Sequence, residues 1–206
     1  YGSTVNVYGK LTGINDCSNA VGHGLFVNGS IKNSVENYPV INIYEGAIIS
    51  GTGDGIYGAG YAKWNIEGGE ITGVESAIGL KAGIWNISGN TKITATGENM
   101  APTEGYNNGI KPSGAAIQIE SNDGYEGLIE MNITGGVITS EKGYSVYEYV
   151  ADSNTAVKEI NITDGKFTGE IVTSDELKDS KKLVVSGGHT HLVRVAEYGK
   201  YEILGK

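Results

Sequence analysis

Residues 64–73 read Trp64-Asn65-Ile66-Glu67-Gly68-Gly69-Glu70-Ile71-Thr72-Gly73, and this phrase decides the fold. Apolar-Asn-apolar has the period of a strand, which sends Trp64 and Ile66 to one face and Asn65 to the other. The Gly68-Gly69 pair supplies a tight turn. Ile71-Thr72 then resumes the alternation. The phrase recurs as Val5-Asn6-Val7, Ile41-Asn42-Ile43, Trp85-Asn86-Ile87, Met131-Asn132-Ile133 and Ile160-Asn161-Ile162, each followed by an apolar residue and Thr or Ser. Leu183-Val184-Val185 closes the series without its Asn.

The copies begin at 5, 41, 64, 85, 131, 160 and 183. Their short steps match one turn of a solenoid, and the longer ones match a turn carrying a loop or an unrecognised copy, for which residues 25–33 are the candidate in the first gap. A second strand follows at a near-constant offset, at Ile56, Ile78, Ile117 and Val146. Residues 97–112, with two of the three prolines and Asn107-Asn108-Gly109, read as a protruding loop. One repeat cannot bury its own apolar face, but stacked repeats make a continuous column of stiff β-branched side chains. The expected fold is all-β: a right-handed parallel β-helix of about seven or eight rungs over 1–188, with 189–206 as a terminal capping segment. An antiparallel β-sandwich is the alternative.

Composition narrows function. The 206 residues carry 15 basic and 24 acidic side chains, for a net charge of −9, and Arg194 is the single arginine, so no basic stripe exists to meet nucleic acid. No apolar run is long enough to span a membrane as a helix. Cys17 is the one cysteine, which excludes an internal disulfide framework and a multi-cysteine zinc site. With 33 glycines and 23 isoleucines against two Phe and two Met, turns and β-branched packing dominate. The chain opens at Tyr1 with no basic segment leading into an apolar one, and is read as a piece of a longer protein.

The repeated Asn-Ile-Thr-Gly-Gly-x-Ile-Thr phrase, with the ending Gly187-Gly188…Val193…Tyr198-Gly199-Lys200-Tyr201-Glu202-Ile203, resembles the repeat modules of large surface proteins of gut-dwelling Gram-positive bacteria. The resemblance implies a pectate-lyase-like β-helix displayed on the bacterial cell surface. It transfers no catalytic residue.

The outward row Asn6, Asn42, Asn65, Asn86, Asn132 and Asn161 is expected to form an amide ladder beside a hydroxyl row of Thr12, Ser50, Thr72, Thr94, Thr139 and Thr168. Such ladders bond between rungs and keep a sheet soluble; they also offer a polar face to a ligand. Gly22-His23-Gly24 resembles the Gly-His-Gly of polygalacturonases, whose chemistry needs grouped carboxylates. The chain has no Asp-Asp pair, and Gly109-Ile110-Lys111 lacks the Arg of the family's Arg-x-Lys, so this match is read as chance. Proton abstraction of the lyase kind needs a cationic base, and Arg194 lies outside the repeats. Glu45, Glu67, Glu70 and Asp164 gather near the turns and would suit structural calcium, although no motif supports it. His189-Thr190-His191 leaves a metal site incomplete.

Aromatics are the remaining signal. Trp64 and Trp85 open consecutive copies and are expected to stack inside. Tyr57, Tyr61, Tyr106, Tyr144, Tyr147 and Tyr149 are the candidate ligand contacts, together with Asn42, Asn65, Asn86 and Asn132, because tyrosine gives large contact area with a polar tip. The expectation is a non-enzymatic, extracellular, surface-displayed binding or adhesion module without cofactor. It would be a monomer within a longer multi-module chain, contacting a host glycoprotein or immunoglobulin through a sheet face and the 97–112 loop. A carbohydrate-binding or remote lyase-like β-helix is the alternative, and a rigid spacer the third reading.

Overall fold

A computed structural model describes residues 2–15, 22–28, 37–99, 113–121, 128–150, 157–173, 183–185, 187 and 189–190. They form strands β1 (Thr4–Val7), β2 (Lys10–Gly13), β3 (Leu25–Val27), β4 (Val40–Ile43), β5 (Ile48–Gly51), β6 (Asp54–Gly58), β7 (Lys63–Ile66), β8 (Glu70–Gly73), β9 (Ser76–Leu80), β10 (Gly83–Ile87), β11 (Lys92–Ala95), β12 (Ala115–Ser121), β13 (Leu128–Val150), β14 (Val157–Val172), β15 (Leu183–Val185) and β16 (His189–Thr190). No helix occurs among the described residues.

Every pairing among these strands is parallel, so the antiparallel sandwich is not what the chain forms. Successive strands cycle through three ladders. The first runs β1-β4-β7-β10-β13-β14-β15. The second runs β2-β5-β8-β11-β13-β14-β16. The third runs β3-β6-β9-β12-β13-β14. The long strands β13 and β14 pass through all three, with register shifts where they change ladder.

The seven copies read from the sequence stand in one register: Val5, Ile41, Trp64, Trp85, Met131, Ile160 and Leu183 are mutual neighbours down the first ladder. Ile56, Ile78, Ile117 and Val146 are likewise aligned, on the third. Two expectations are corrected. The repeat has three strands, because the apolar-Thr tail of each phrase is a separate strand of the second ladder. Leu25–Val27 is no blurred Asn copy: Leu25 pairs with Ile56, which puts β3 on the third ladder. The second ladder also continues past residue 188, since His189 and Thr190 pair with Lys166 and Phe167.

The main core is a cluster in which Ile41, Ile43, Ile49, Ile56, Ile66, Ile71, Ile78, Ile87, Ile93, Ile117, Ile133 and Ile138 are buried. Each such side chain contributes about 1.5–3 kcal/mol. Trp64 and Trp85 stack inside it, with centroids 4.4 Å apart and planes 11° apart. Trp85 Nε1 donates to the Ala82 carbonyl at 3.0 Å. Corners between the second and third ladders are tight: a Cβ on Gly51 would overlap the Asp54 carbonyl oxygen, and one on Gly73 the Ser76 carbonyl oxygen.

Candidate functional site

On the first ladder, the amides of Asn6, Asn42, Asn65, Asn86, Asn132 and Asn161 form an unbroken chain. Asn42 Nδ2 donates to Asn6 Oδ1 (2.9 Å), Asn65 to Asn42 (2.8 Å), Asn86 to Asn65 (3.0 Å), Asn132 to Asn86 (3.1 Å) and Asn161 to Asn132 (3.0 Å). Strand spacing along the ladder brings identical side chains to hydrogen-bonding distance. The candidate contacts Asn42, Asn65, Asn86 and Asn132 are therefore engaged with one another. On the second ladder, Thr12, Ser50, Thr72, Thr94, Thr139 and Thr168 are in register, and Ser50 Oγ donates to Thr12 Oγ1 at 3.3 Å.

The third ladder is chemically different. Tyr57, Gly79, Gln118 and Tyr147 occupy one register position along it, with Phe26 beside Tyr57. Tyr57 is only 3% exposed, because its ring stacks on Phe26 (5.1 Å, 8°) and on His23 (4.9 Å, 16°). Tyr61 is 8% exposed and meets Tyr38 edge-on at 5.3 Å; burial raises the pKa of its hydroxyl above the ordinary tyrosine value. These two tyrosines are packed inside the structure and are not the open contacts the sequence suggested. Tyr144 and Tyr147 are half-buried and stack at 4.6 Å. Tyr106 lies outside the described residues, as do Cys17, His191, Arg194 and most of the 97–112 loop. For Tyr149 only the backbone pairing with Glu120 is described.

Two polar clusters adjoin this ladder, and sequence reasoning missed both. In the first, Asp54 is 1% exposed and accepts a hydrogen bond from Ser76 Oγ, its register neighbour. Asp54 Oδ2 lies 3.3 Å from Nδ1 of His23, whose side chain is 19% exposed. Glu75 is close enough for its carboxyl to feel both: burial raises its pKa, Asp54 raises it further, and His23 opposes them. Asp54 on β6 and Glu75 at the corner before β9 are distant from His23 in sequence and meet it only in space. In the second cluster, Ser113 Oγ donates to Gln118 Oε1, Gln118 Nε2 donates to Glu120 Oε2 at 3.3 Å, and Lys81 Nζ stands 3.6 Å from Glu120 Oε1. Lys81, Gln118 and Glu120 are all fully buried. Charged residues directly after Leu80 and Ile119 were the signal.

The turn acids Glu45, Glu67, Glu70 and Asp164 form no metal-binding group. Glu70 pairs with Lys92 at 2.7 Å, and Asp164 Oδ1 accepts from its own neighbour's amide, Gly165 N, at 2.7 Å. Among the described residues, no group of three or more His, Cys, Asp or Glu is placed to share a metal ion.

Connection lengths set the third ladder apart. Links from the first ladder to the second are short throughout: 8–9, 44–47, 67–69 and 88–91. The long links, at 14–24, 28–39, 96–114 and 173–182, with 122–127 and 151–156 after them in length, all border the third ladder.

No protein-family model matches the chain, and no solved structure matches it. A stretch of 48 residues is 50% identical to tRNA N6-adenosine threonylcarbamoyltransferase of Clostridioides difficile (strain 630). That match covers 23% of this chain and 14% of the enzyme, so the chain spans a small part of the relative's length.

Proposed function

We propose that the chain is a right-handed parallel β-helix acting as a non-enzymatic, extracellular binding module on a bacterial surface. Its contact surface is the accessible part of the third ladder, with Phe26 on β3 and Tyr144 and Tyr147 on β13, and its partner is a host protein. The observation that carries this reading is the asymmetry of the three ladders. Amide and hydroxyl ladders occupy the first two, where connections are short or uniform. Every long connection borders the third, where Phe26, Tyr144 and Tyr147 are accessible. Insertions in solenoids collect on one side, often the binding side. Aromatic anchors ringed by polar groups suit protein recognition.

A glycan partner is the second reading, favoured by the exposed Phe26 ring near the partly accessible His23 and Glu75 side chains. Rings for stacking next to hydrogen-bonding groups are what a sugar needs.

The test is to pass the purified chain over arrays of host extracellular proteins, immunoglobulins included, and of mucin, plant and microbial glycans. A saturable protein ligand weakened at least tenfold by Phe26→Ala or Tyr147→Ala, with melting unchanged, supports the first reading. A glycan ligand weakened by the same changes supports the second. Silence on both arrays, or a ligand indifferent to both substitutions, overturns the placement and leaves a rigid spacer.

A further inference from the structure

The buried polar cluster in the middle of the third ladder holds the parts of an acyl transfer. Lys81 directly follows β9, Gln118 and Glu120 lie on β12, and Ser113 precedes β12. The two strands pair with Gln118 beside Gly79 and Ile119 beside Leu80, which brings Lys81 level with Glu120. Gly79 places no side chain beside the Gln118 amide. Lys81, Ser113, Gln118 and Glu120 are all fully buried. An ammonium and a carboxylate are costly to keep in such an interior, so a reaction that ends without charge is favoured there.

The contacts give each group a part. Lys81 Nζ, the nucleophile, stands 3.6 Å from Glu120 Oε1. Glu120 Oε2 accepts from Gln118 Nε2 at 3.3 Å, so one carboxyl faces both the amine and the nitrogen that would leave. Ser113 Oγ donates to Gln118 Oε1, the oxygen on which negative charge develops when the amide carbon is attacked. The Ala115 N–H in turn donates to Ser113 Oγ at 3.2 Å and holds that hydroxyl in place.

We propose that Lys81 and Gln118 join in an intramolecular isopeptide bond, made by the folded chain itself. Lys81 gives a proton to Glu120 Oε1, and the neutral Nζ attacks Gln118 Cδ. The Nζ–Cδ bond forms and the Cδ–Nε2 bond breaks. Of the two protons that leave Nζ, one departs with Nε2 as ammonia and the other stays on Glu120. A buried ion pair thus becomes an uncharged site, and the balance needs no oxidant or reductant. Exclusion of water keeps the intermediate from being hydrolysed. The bond ties the turn after β9 to β12 across the 96–114 link, so two consecutive repeats are locked together on the third ladder.

The test is intact-mass spectrometry of the full, folded chain, followed by digestion and fragment mapping. The expected mass is that of the sequence less one ammonia molecule, with a linked pair of fragments carrying Lys81 and Gln118. Lys81→Arg and Glu120→Gln should each abolish the loss of ammonia. A wild-type chain at its full sequence mass overturns the proposal. So does a loss of ammonia that Lys81→Arg retains, since it would then lie elsewhere, as in ring closure at Asn28-Gly29 or Asn108-Gly109. A loss of water that links Lys81 to Glu120 instead of Gln118 overturns it as well. The wild-type mass and its fragment map decide the matter even where a variant fails to fold.

Discussion

Asn86 shows what the amide chain does for the fold. It donates to Asn65 and accepts from Asn132, so Asn86→Ala removes two hydrogen bonds at once. At about 0.5–1.5 kcal/mol net for each bond, the loss should be about 1–3 kcal/mol. Asn6→Ala, at the end of the chain, removes one and should cost about half as much. Urea denaturation of both variants checks this, and equal losses would mean that the amides act singly. Trp64 poses a packing question. Its indole N–H has no hydrogen-bond partner, so its contribution is burial and the stack on Trp85. Trp64→Ala should cost about 3–5 kcal/mol by the same measurement; an unchanged midpoint would contradict its interior position. Glu75 makes a pH-dependent contribution. Because burial raises its pKa, the folded chain holds this proton more tightly than the unfolded chain does. Stability is therefore lost as pH rises from the ordinary carboxylate range through the raised folded value. Glu75→Gln should raise the melting temperature at pH 7 and leave it unchanged at pH 3; an equal shift at both would remove titration as the cause. The Asn and Trp rows were legible in the sequence because alternation within one short phrase fixes which way each side chain points. The His23–Asp54–Ser76 cluster was not, because its members come from the link before β3, from β6 and from β9 and meet only after these have taken their register.

At the scale of the element, the register of the first ladder was readable down to the residue and that of the third only in part, at Ile56, Ile78 and Ile117 but not at β3, while the second ladder was hidden inside the first phrase. The cause is the length of the turn. Only 67–69 separate β7 from β8, so two strands on different ladders read as one continuous motif. The corner after β8 is tighter still. Gly73 is followed by two residues before β9 begins, and any side chain there would collide with the Ser76 carbonyl. At the aligned position on β11 the residue is Ala95, and there the chain continues into the long 96–114 link before β12. Gly73→Ala is therefore expected to destabilise by about 1–3 kcal/mol, whereas Ala95→Gly should cost no more than the ordinary backbone penalty of about 0.5–1 kcal/mol. Thermal melts of the two variants separate these outcomes, and a well-tolerated Gly73→Ala would show that the corner relaxes. The exposure of Tyr57 and Tyr61 also belongs to this scale. Alternation places Tyr57 on the outer side of β6, whereas Tyr61 lies in the link before β7. What then stacks against them, here Phe26, His23 and Tyr38, comes from other elements and leaves no trace in the local pattern.

For the whole molecule, stability should be distributed along one dimension. Each strand pairs with the equivalent strand of the preceding and following repeats, so a central rung has two interfaces and the first rung has one. In such a stack, stability is close to a sum of rung terms and nearest-neighbour terms. Local opening should then be easiest where one interface is missing. The exposed Val5 and the single-sided pairing of β1, β2 and β3 mark the N-terminal rung as that place. The stacked Trp64 and Trp85, with the buried Ile71 and Ile93 beside them, mark β7, β8, β10 and β11 as the opposite extreme. Hydrogen exchange under native conditions should therefore show protection that rises from Thr4–Val7 through Val40–Ile43 to a plateau over Lys63–Ala95. Loss of the first rung in mild denaturant should leave that plateau intact. Uniform protection over all of these strands, lost in a single step, would mean that the chain unfolds as one globular unit despite its repeating pairings.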